Sequence, residues 1–107
     1  DVALSLHFQG QCLTLCQRHP LINMGRDATN GIVINDPRVS RLHARIELRK
    51  DLFVLVDQST NGTYLTSADG QEALVRRDEI PLPAQGMIGL GEKVTSDSPI
   101  AIRFERR

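Results

Sequence analysis

The feature that most constrains the fold of this chain is a two-residue alternation of apolar and polar side chains in short segments. Val2, Leu4, Leu6 and Phe8 alternate with small or polar residues, and a period of two is typical of β-strands. No long stretch free of Gly and Pro repeats its apolar residues every third and fourth position, which is the pattern of a helix. The chain is therefore expected to be all-β.

About ten such segments are separated by turn signals such as Asn-Gly, Asp-Gly and Asn-Asp-Pro. The first two should form a hairpin. Residues 52–56 form an unbroken apolar run, which we expect at the centre of the core with both faces covered. Residues 79–86 contain Pro81 and Pro83 and are expected to be rigid and irregular. Short strands joined by turns predict an antiparallel sandwich or barrel. The segments expected to be strands are 2–8, 12–16, 21–24, 32–34, 42–49, 52–56, 63–65, 72–76, 87–90 and 100–104.

The length and composition are those of one globular domain, which we assign to residues 1–107. Hydrophobic residues make up 40% and charged residues 24% of the chain, which excludes the composition of a disordered segment. Thirteen basic residues balance thirteen acidic ones and aromatic residues make up only 4%, so no nucleic-acid partner is expected. No apolar run approaches a membrane span and no signal peptide is apparent, so no membrane partner is expected. The chain opens on Asp1 rather than Met, and we expect it to come from a longer protein.

The two cysteines indicate a reducing compartment. Cys12 and Cys16 lie four residues apart in an alternating segment, which in a strand separates them by about 13 Å. That distance is too long for a disulfide, so free thiols and a cytoplasmic location are expected. With His7 and His19 the cysteines show none of the close pairs typical of metal sites, and neither a metal nor a cofactor is expected.

Three polar loops hold the residues with binding chemistry: Gly25-Arg26, Val39 to His43, and Ser59 to Gly62. The second loop leads into residues 42–49, where Leu42 should begin the buried face of a strand and His43 the opposite face. Loops held by a rigid sheet often carry binding residues. We therefore expect the function to reside in these three loops.

In this order and at these intervals, Gly25-Arg26, Ser40-Arg41-x-His43 and Asp57-x-Ser-Thr-Asn-Gly62 resemble the forkhead-associated (FHA) domain. The resemblance runs from Met24 to Leu65. It implies an antiparallel two-sheet β-sandwich of about eleven strands with its binding loops at one end. It also implies a non-catalytic module, monomeric as an isolated domain, that binds phosphothreonine in a protein partner in Ser/Thr-kinase signalling.

The chemistry of the loop residues fits such a ligand. A phosphothreonine carries about −1.5 to −2 charge and three acceptor oxygens. The planar guanidinium of Arg26 can hold two of those oxygens in parallel. The hydroxyl of Ser40 can donate to another, and its backbone amide could join the same anion site. Thr60 can donate its hydroxyl towards the phosphate, and the resemblance places Arg41 near the phosphate or the peptide backbone.

Other loop residues are expected to hold the peptide or the loops. The amide of Asn61 can both donate and accept, so it could bind the peptide backbone while Gly62 takes the turn. Gly25 leaves room for the backbone to turn before Arg26. By resemblance His43 is structural, tying neighbouring loop backbone so that Ser40 and Arg41 stay in position. Asp57 and Ser59 are assigned to loop structure. Peptide choice is expected to depend on loop residues such as Arg18, His19, Arg38 and Arg41.

Two alternatives remain open for function. A domain of the same fold could associate with proteins, or with itself, independently of phosphate. Ser40 and His43 could instead form a nucleophilic pair oriented by Asp36 or Asp57. Residues three apart in an extended segment point to opposite faces, and no nucleophile elbow is present, so an enzyme is not expected.

Overall fold

The computed structural model describes residues 2–107, and within that range it contains eleven β-strands and no helix. The strands are β1 (Leu4–Phe8), β2 (Gln11–Leu15), β3 (Leu21–Gly25), β4 (Ile32–Val33), β5 (Ala44–Arg49), β6 (Leu52–Asp57), β7 (Thr63–Ser67), β8 (Glu72–Val75), β9 (Glu79–Pro81), β10 (Gln85–Leu90) and β11 (Ile102–Arg106).

The strands form two sheets that pack face to face. One has six strands in the order β2-β1-β11-β10-β7-β8, and the other has five in the order β4-β3-β5-β6-β9. Every pair is antiparallel except β3 and the two-residue β4. The predicted hairpin is β1–β2, in which Leu4 lies opposite Leu15 and Phe8 opposite Gln11. The predicted two-sheet β-sandwich of eleven strands is confirmed.

The core lies between the two sheets and is built from alternate side chains of their central strands. Each fully buried Leu or Ile contributes about 1.5–3 kcal/mol to the free energy of unfolding. The long fully buried apolar side chains from both sheets are Leu4, Leu6, Met24, Ile32, Ile46, Leu55, Ile88, Leu90 and Ile102.

The strand β6 is covered on both faces only in its middle, and the expectation that residues 79–86 are irregular was wrong for 79–81 and 85–86 but holds for 82–84, which lie between two strands. Phe53, Val54 and Leu55 are buried, whereas Leu52 at the strand end is 52% exposed. Residues 79–81 are not irregular but form β9, which pairs with β6 and places Pro81 opposite Val54. Because β9 is an edge strand, a proline without an N–H donor is tolerated there.

The predicted alternation in residues 42–49 was also wrong at its start. β5 begins at Ala44, so Leu42 is 54% exposed and the side chain of His43 is fully buried. The His43 amide donates to the Met24 carbonyl at 2.9 Å, but the preceding backbone turns away as a loop. The inward and outward faces therefore alternate only from Ala44 onward.

Among residues 2–107 no helix has the length and apolar character needed to cross a membrane. Cys12 and Cys16 are both free thiols. In the same range, the His, Cys, Asp and Glu side chains form no group that could hold a metal ion.

Candidate functional site

Strand register brings the three polar loops to one end of the sandwich. β5 pairs with β3 on one side and β6 on the other, so that Met24, Ala44 and Asp57 lie in one row across the sheet. The chain leaves this row at Gly25 and Gln58, and it enters the row from His43. Arg26, the Ser40 to His43 segment and the Ser59 to Gly62 segment therefore share one edge, although they lie up to thirty-six positions apart in sequence.

Gly25 allows the first two loops to lie in contact. Gly25 is buried, and a Cβ atom there would lie 2.2 Å from the Arg41 carbonyl oxygen, a distance that no side chain can take. Beyond it, the Arg26 amide donates to the Ser40 carbonyl at 3.0 Å. The Arg26 Nε donates to the Val39 carbonyl, also at 3.0 Å. The guanidinium is thus fixed beside Ser40, and its terminal nitrogens have no hydrogen-bond partner within residues 2–107.

The buried imidazole of His43 joins the second and third loops from the protein interior. Its Nδ1 accepts the Ser40 amide at 3.0 Å, and its Nε2 lies 2.7 Å from the Gly62 carbonyl. Accepting at Nδ1 leaves the proton on Nε2, which then donates to Gly62. Burial lowers the pKa of His43, although the Gly62 carbonyl and the nearby Asp57 carboxylate oppose that shift. His43 is therefore a neutral residue that holds backbone.

This geometry corrects one expectation for Ser40 and disfavours the nucleophilic pair. The Ser40 amide cannot join an anion site, because it already donates to the buried ring of His43. The Ser40 Oγ instead accepts the Thr60 amide at 3.2 Å, so its own proton is left to donate outward. The ring of His43 contacts the amide of Ser40 rather than its hydroxyl, and it is not placed as a base for that oxygen.

Asp57 anchors the third loop through a buried carboxylate. It accepts the Ser59 amide at 3.0 Å, the Ser59 hydroxyl at 2.7 Å, the Thr63 hydroxyl at 2.6 Å and the Arg77 amide at 2.8 Å. Burial alone would raise the pKa of Asp57, but the hydrogen bonds from Thr63, Arg77 and Ser59 outweigh it and lower the pKa. The carboxylate is therefore ionised, and its oxygens are occupied by hydrogen bonds from within the protein.

The tip of the third loop is exposed at Thr60 and Asn61. The Ser59 Oγ accepts the Gly62 amide at 2.7 Å and closes the turn. Gly62 has φ of 87°, a left-handed conformation that favours glycine. The Asn61 Nδ2 donates to the Arg38 carbonyl at 2.9 Å, which leaves its carbonyl oxygen free to accept.

Of the four residues expected to govern peptide choice, only Arg38 and Arg41 lie at this end. Arg18 and His19 precede β3, whereas the site follows it, and five extended residues span about 13 Å from first to last. The structure therefore places Arg18 and His19 at the opposite end of β3 from the three loops. Arg41 is exposed. The guanidinium of Arg38 is already paired with Asp36 at 2.9 Å and Glu92 at 2.6 Å, and it lowers the pKa of Asp36 to about 2.

Sequence reasoning missed two residues that shape the site. Asn30 is buried, and its Nδ2 donates to the carbonyls of Asp27 and Arg41, each at 2.8 Å. It ties the first loop to the second, but the Asn30-Gly31 pair reads in the sequence only as a turn signal. Arg77 follows β8 and contacts the third loop through both its amide and its side chain, and no pattern in the sequence marks it.

Chemically, this end offers donors for an anion and lacks catalytic groups. The outward donors are the terminal nitrogens of Arg26, the hydroxyls of Ser40 and Thr60 and the side chain of Arg41. The imidazole of His43 and the carboxylate of Asp57 are buried and bonded to backbone, the carboxylates of Asp36 and Glu92 are paired with Arg38, and that of Asp27 accepts from Thr29. The arrangement can hold an anion that carries several acceptor oxygens.

Comparison with known proteins identifies the family of the chain. The family model for the FHA domain matches residues 22–91. An FHA domain of Mycobacterium tuberculosis Rv1747 superposes with a TM-score of 0.71 at 23% identity, covering 98% of this chain and 96% of that one. The MEK1 FHA domain in complex with the HOP1 phosphothreonine peptide gives 0.70 at 23% identity, with coverage of 95% and 94%.

A third solved structure is the FhaA FHA domain complexed with the intracellular domain of Rv3910. It gives a TM-score of 0.61 at 27% identity, and all of each chain is covered. No curated protein sequence matches the chain significantly. The family model covers well over half of the chain, including all three loops. The chain therefore belongs to the FHA-domain family, whose members are non-catalytic phosphopeptide-binding modules.

Proposed function

We propose that this FHA domain binds a protein segment that contains phosphothreonine, as a non-catalytic module of Ser/Thr-kinase signalling. The observation that carries the proposal is the contact between the Thr60 amide and the Ser40 Oγ at 3.2 Å. It joins the second and third loops at one point, and the Arg26 guanidinium is bonded to the residue before Ser40. Donors from all three loops thus lie close to Ser40.

Each donor has a distinct role in the proposal. Arg26 binds two phosphate oxygens through its terminal nitrogens, because its Nε is already used on the Val39 carbonyl. Ser40 donates its hydroxyl to a phosphate oxygen, since its amide is taken by His43. Thr60 assists through its hydroxyl, and the exposed Arg41 adds positive charge. Gly25, His43 and Gly62 hold the loops and do not contact the ligand.

Asn61 binds the peptide backbone in this proposal. Its Nδ2 is bonded to the Arg38 carbonyl, so the side-chain carbonyl oxygen is oriented by the protein and can accept a peptide amide. Such a contact sets the position of the peptide without reading its side chains.

The proposed binding requires neither a reducing compartment nor a second subunit. Free Cys12 and Cys16 support a cytoplasmic location. One copy of the chain supplies all five proposed contact residues, so a monomer suffices. The proposed partner is a phosphorylated protein rather than a nucleic acid or a membrane.

Two degenerate peptide libraries test the proposal. They share all positions except a fixed central residue, which is phosphothreonine in one and threonine in the other. Charge-assisted hydrogen bonds contribute about 1.5–3 kcal/mol each, so we expect capture of the phosphothreonine library at about micromolar affinity and negligible capture of the other. Equal capture of both libraries would instead favour phosphate-independent association.

A further inference from the structure

Arg77 is held against the third loop by both its main chain and its side chain. Its amide donates to the Asp57 carboxylate at 2.8 Å, and its Nε lies 3.4 Å from the Ser59 carbonyl oxygen. Its φ of 52° is in the left-handed region that few non-glycine residues adopt. The turn between β8 and β9 therefore places this arginine beside the loop that carries Thr60.

The guanidinium of Arg77 lies close to the proposed phosphate position but is not part of it. Ser59 and Thr60 are joined by one peptide bond, and the Thr60 amide is 3.2 Å from the Ser40 Oγ. This path places the Arg77 Nε within about 9 Å of the Ser40 hydroxyl. Because an extended chain advances about 3.3 Å per residue, a peptide held at Ser40 reaches Arg77 within about three residues.

The charge of Arg77 is not neutralised by the protein. Among residues 2–107 its guanidinium makes no ion pair, in contrast to Arg38, which meets both Asp36 and Glu92. The carboxylates around Arg77 have other partners. Asp57 accepts four hydrogen bonds, two from Ser59 and one each from the Thr63 hydroxyl and the Arg77 amide. Asp78 accepts the Glu79 amide at 2.8 Å, and Glu79 is paired with Arg49.

We propose that Arg77 forms a second cationic subsite, which selects bound peptides carrying an acidic residue within three positions of the phosphothreonine. The inference rests on the proposed function, because the phosphate places the peptide. Arg26 supplies the charge that holds the phosphate, and Arg77 supplies a charge that distinguishes one phosphopeptide from another. An aspartate or glutamate in the peptide completes the ion pair that the protein leaves open.

A positional scan tests the subsite. The probes are a phosphothreonine peptide with alanine at all flanking positions and six derivatives with aspartate at one of the three positions on either side. We expect the wild-type domain to bind at least one aspartate derivative about fivefold more tightly than the alanine peptide, as for a partly exposed ion pair. In Arg77→Gln that preference falls below about twofold, whereas the alanine phosphopeptide binds as before.

Arg76→Gln is the matched control, because it removes the same charge from the neighbouring residue, whose side chain makes no hydrogen bond to the Ser59 carbonyl. The aspartate preference should survive it. Arg77→Asn, which tolerates the left-handed conformation better, replaces Arg77→Gln if that variant does not fold. The inference is overturned if the wild-type domain prefers no aspartate derivative, or if the aspartate preference survives substitution of Arg77. It is also overturned if Arg76→Gln removes the preference equally. Loss of all phosphate-dependent binding would overturn the proposed function, and the subsite with it.

Discussion

Arginines occur in two very different settings in this domain. On the outer face of the five-stranded sheet, Arg45 pairs with Glu47 at 3.0 Å, and Arg49 pairs with both Glu47 and Glu79. At the loop end, Arg26, Arg41 and Arg77 make no ion pair with any of residues 2–107. Both arginines of the sheet face have a carboxylate partner, whereas at the loop end only Arg38 has one, in Asp36 and Glu92.

The loop end can attract an anion, whereas the sheet face cannot. Exposed ion pairs on a sheet face contribute up to about 1 kcal/mol each, and they leave little net field. At the loop end the Asp57 carboxylate is buried and bonded to Ser59 and Thr63, and the Asp27 carboxylate, whose charge interacts with that of Arg41, makes no ion pair with it. The guanidinium groups of Arg26, Arg41 and Arg77 thus have no paired carboxylate among residues 2–107, and a phosphate can neutralise them.

The largest expected effect is that of Arg26→Ala on phosphothreonine binding. Loss of the paired charge-assisted hydrogen bonds should weaken binding by at least about 100-fold. Arg45→Ala removes the same charge from the sheet face and should change affinity by less than about twofold. Isothermal titration with one phosphopeptide, together with melting curves, compares the two variants. An equal loss in both would show that the arginines act only through net charge.

His43→Ala should lower stability and affinity together. The substitution leaves the Ser40 amide and the Gly62 carbonyl without their buried partner, which we expect to cost about 2–4 kcal/mol of the free energy of unfolding. Leu42→Ala, at the exposed neighbouring position, is the control and should cost less than about 0.5 kcal/mol. Urea denaturation measures both. A normally stable His43→Ala variant would refute the role of the imidazole in holding the loops.

The free energy of unfolding should decrease as the pH falls below about 6.5. Burial lowers the pKa of His43 in the folded state, so the unfolded chain takes up a proton near its ordinary pKa while the folded chain does not. Stability is then lost towards acid, by at most about 1.4 kcal/mol per pH unit for this group. The lowered pKa of Asp57 acts in the same direction below about pH 4. Urea denaturation at pH 7.5 and 5.5 measures the change, and a stability that is constant or rises towards pH 5.5 would contradict this assignment.

The smallest expected effect concerns the sheet face. Arg49 is 44% exposed and its partner Glu79 is 47% exposed, so solvent screens the pair. Arg49→Gln should change the free energy of unfolding by less than about 1 kcal/mol and leave phosphopeptide affinity unchanged. A larger loss of affinity would mean that the sheet face takes part in binding.

Local sequence patterns predicted most of the strands and the loops that form the site. The alternation in residues 2–8 and the turn signals around residues 30–37 depend on local geometry alone. The burial of the Leu42 and His43 side chains does not depend on local geometry alone. A period of two predicts Leu42 inside and His43 outside, but His43 is buried because Ser40 and Gly62 supply polar partners from two loops.

The same reason explains why Asn30 and Arg77 were missed. Asn30 bonds to Arg41, eleven residues away, and Arg77 contacts Ser59, eighteen residues away. β9 brings Arg77 to the site by pairing with β6, and its strand character was hidden by Pro81. Contacts of this kind depend on strand order, which no local pattern specifies.

The most direct test of the central claim is a titration with phosphothreonine alone, as its N-acetyl amide, followed by amide chemical shifts. The account predicts that the largest shifts fall on Arg26, Ser40, Thr60 and Asn61, and that the amides of Arg45 and Arg49 stay unchanged. Shifts concentrated on the outer face of the five-stranded sheet, or identical shifts with N-acetyl threonine amide, would contradict it.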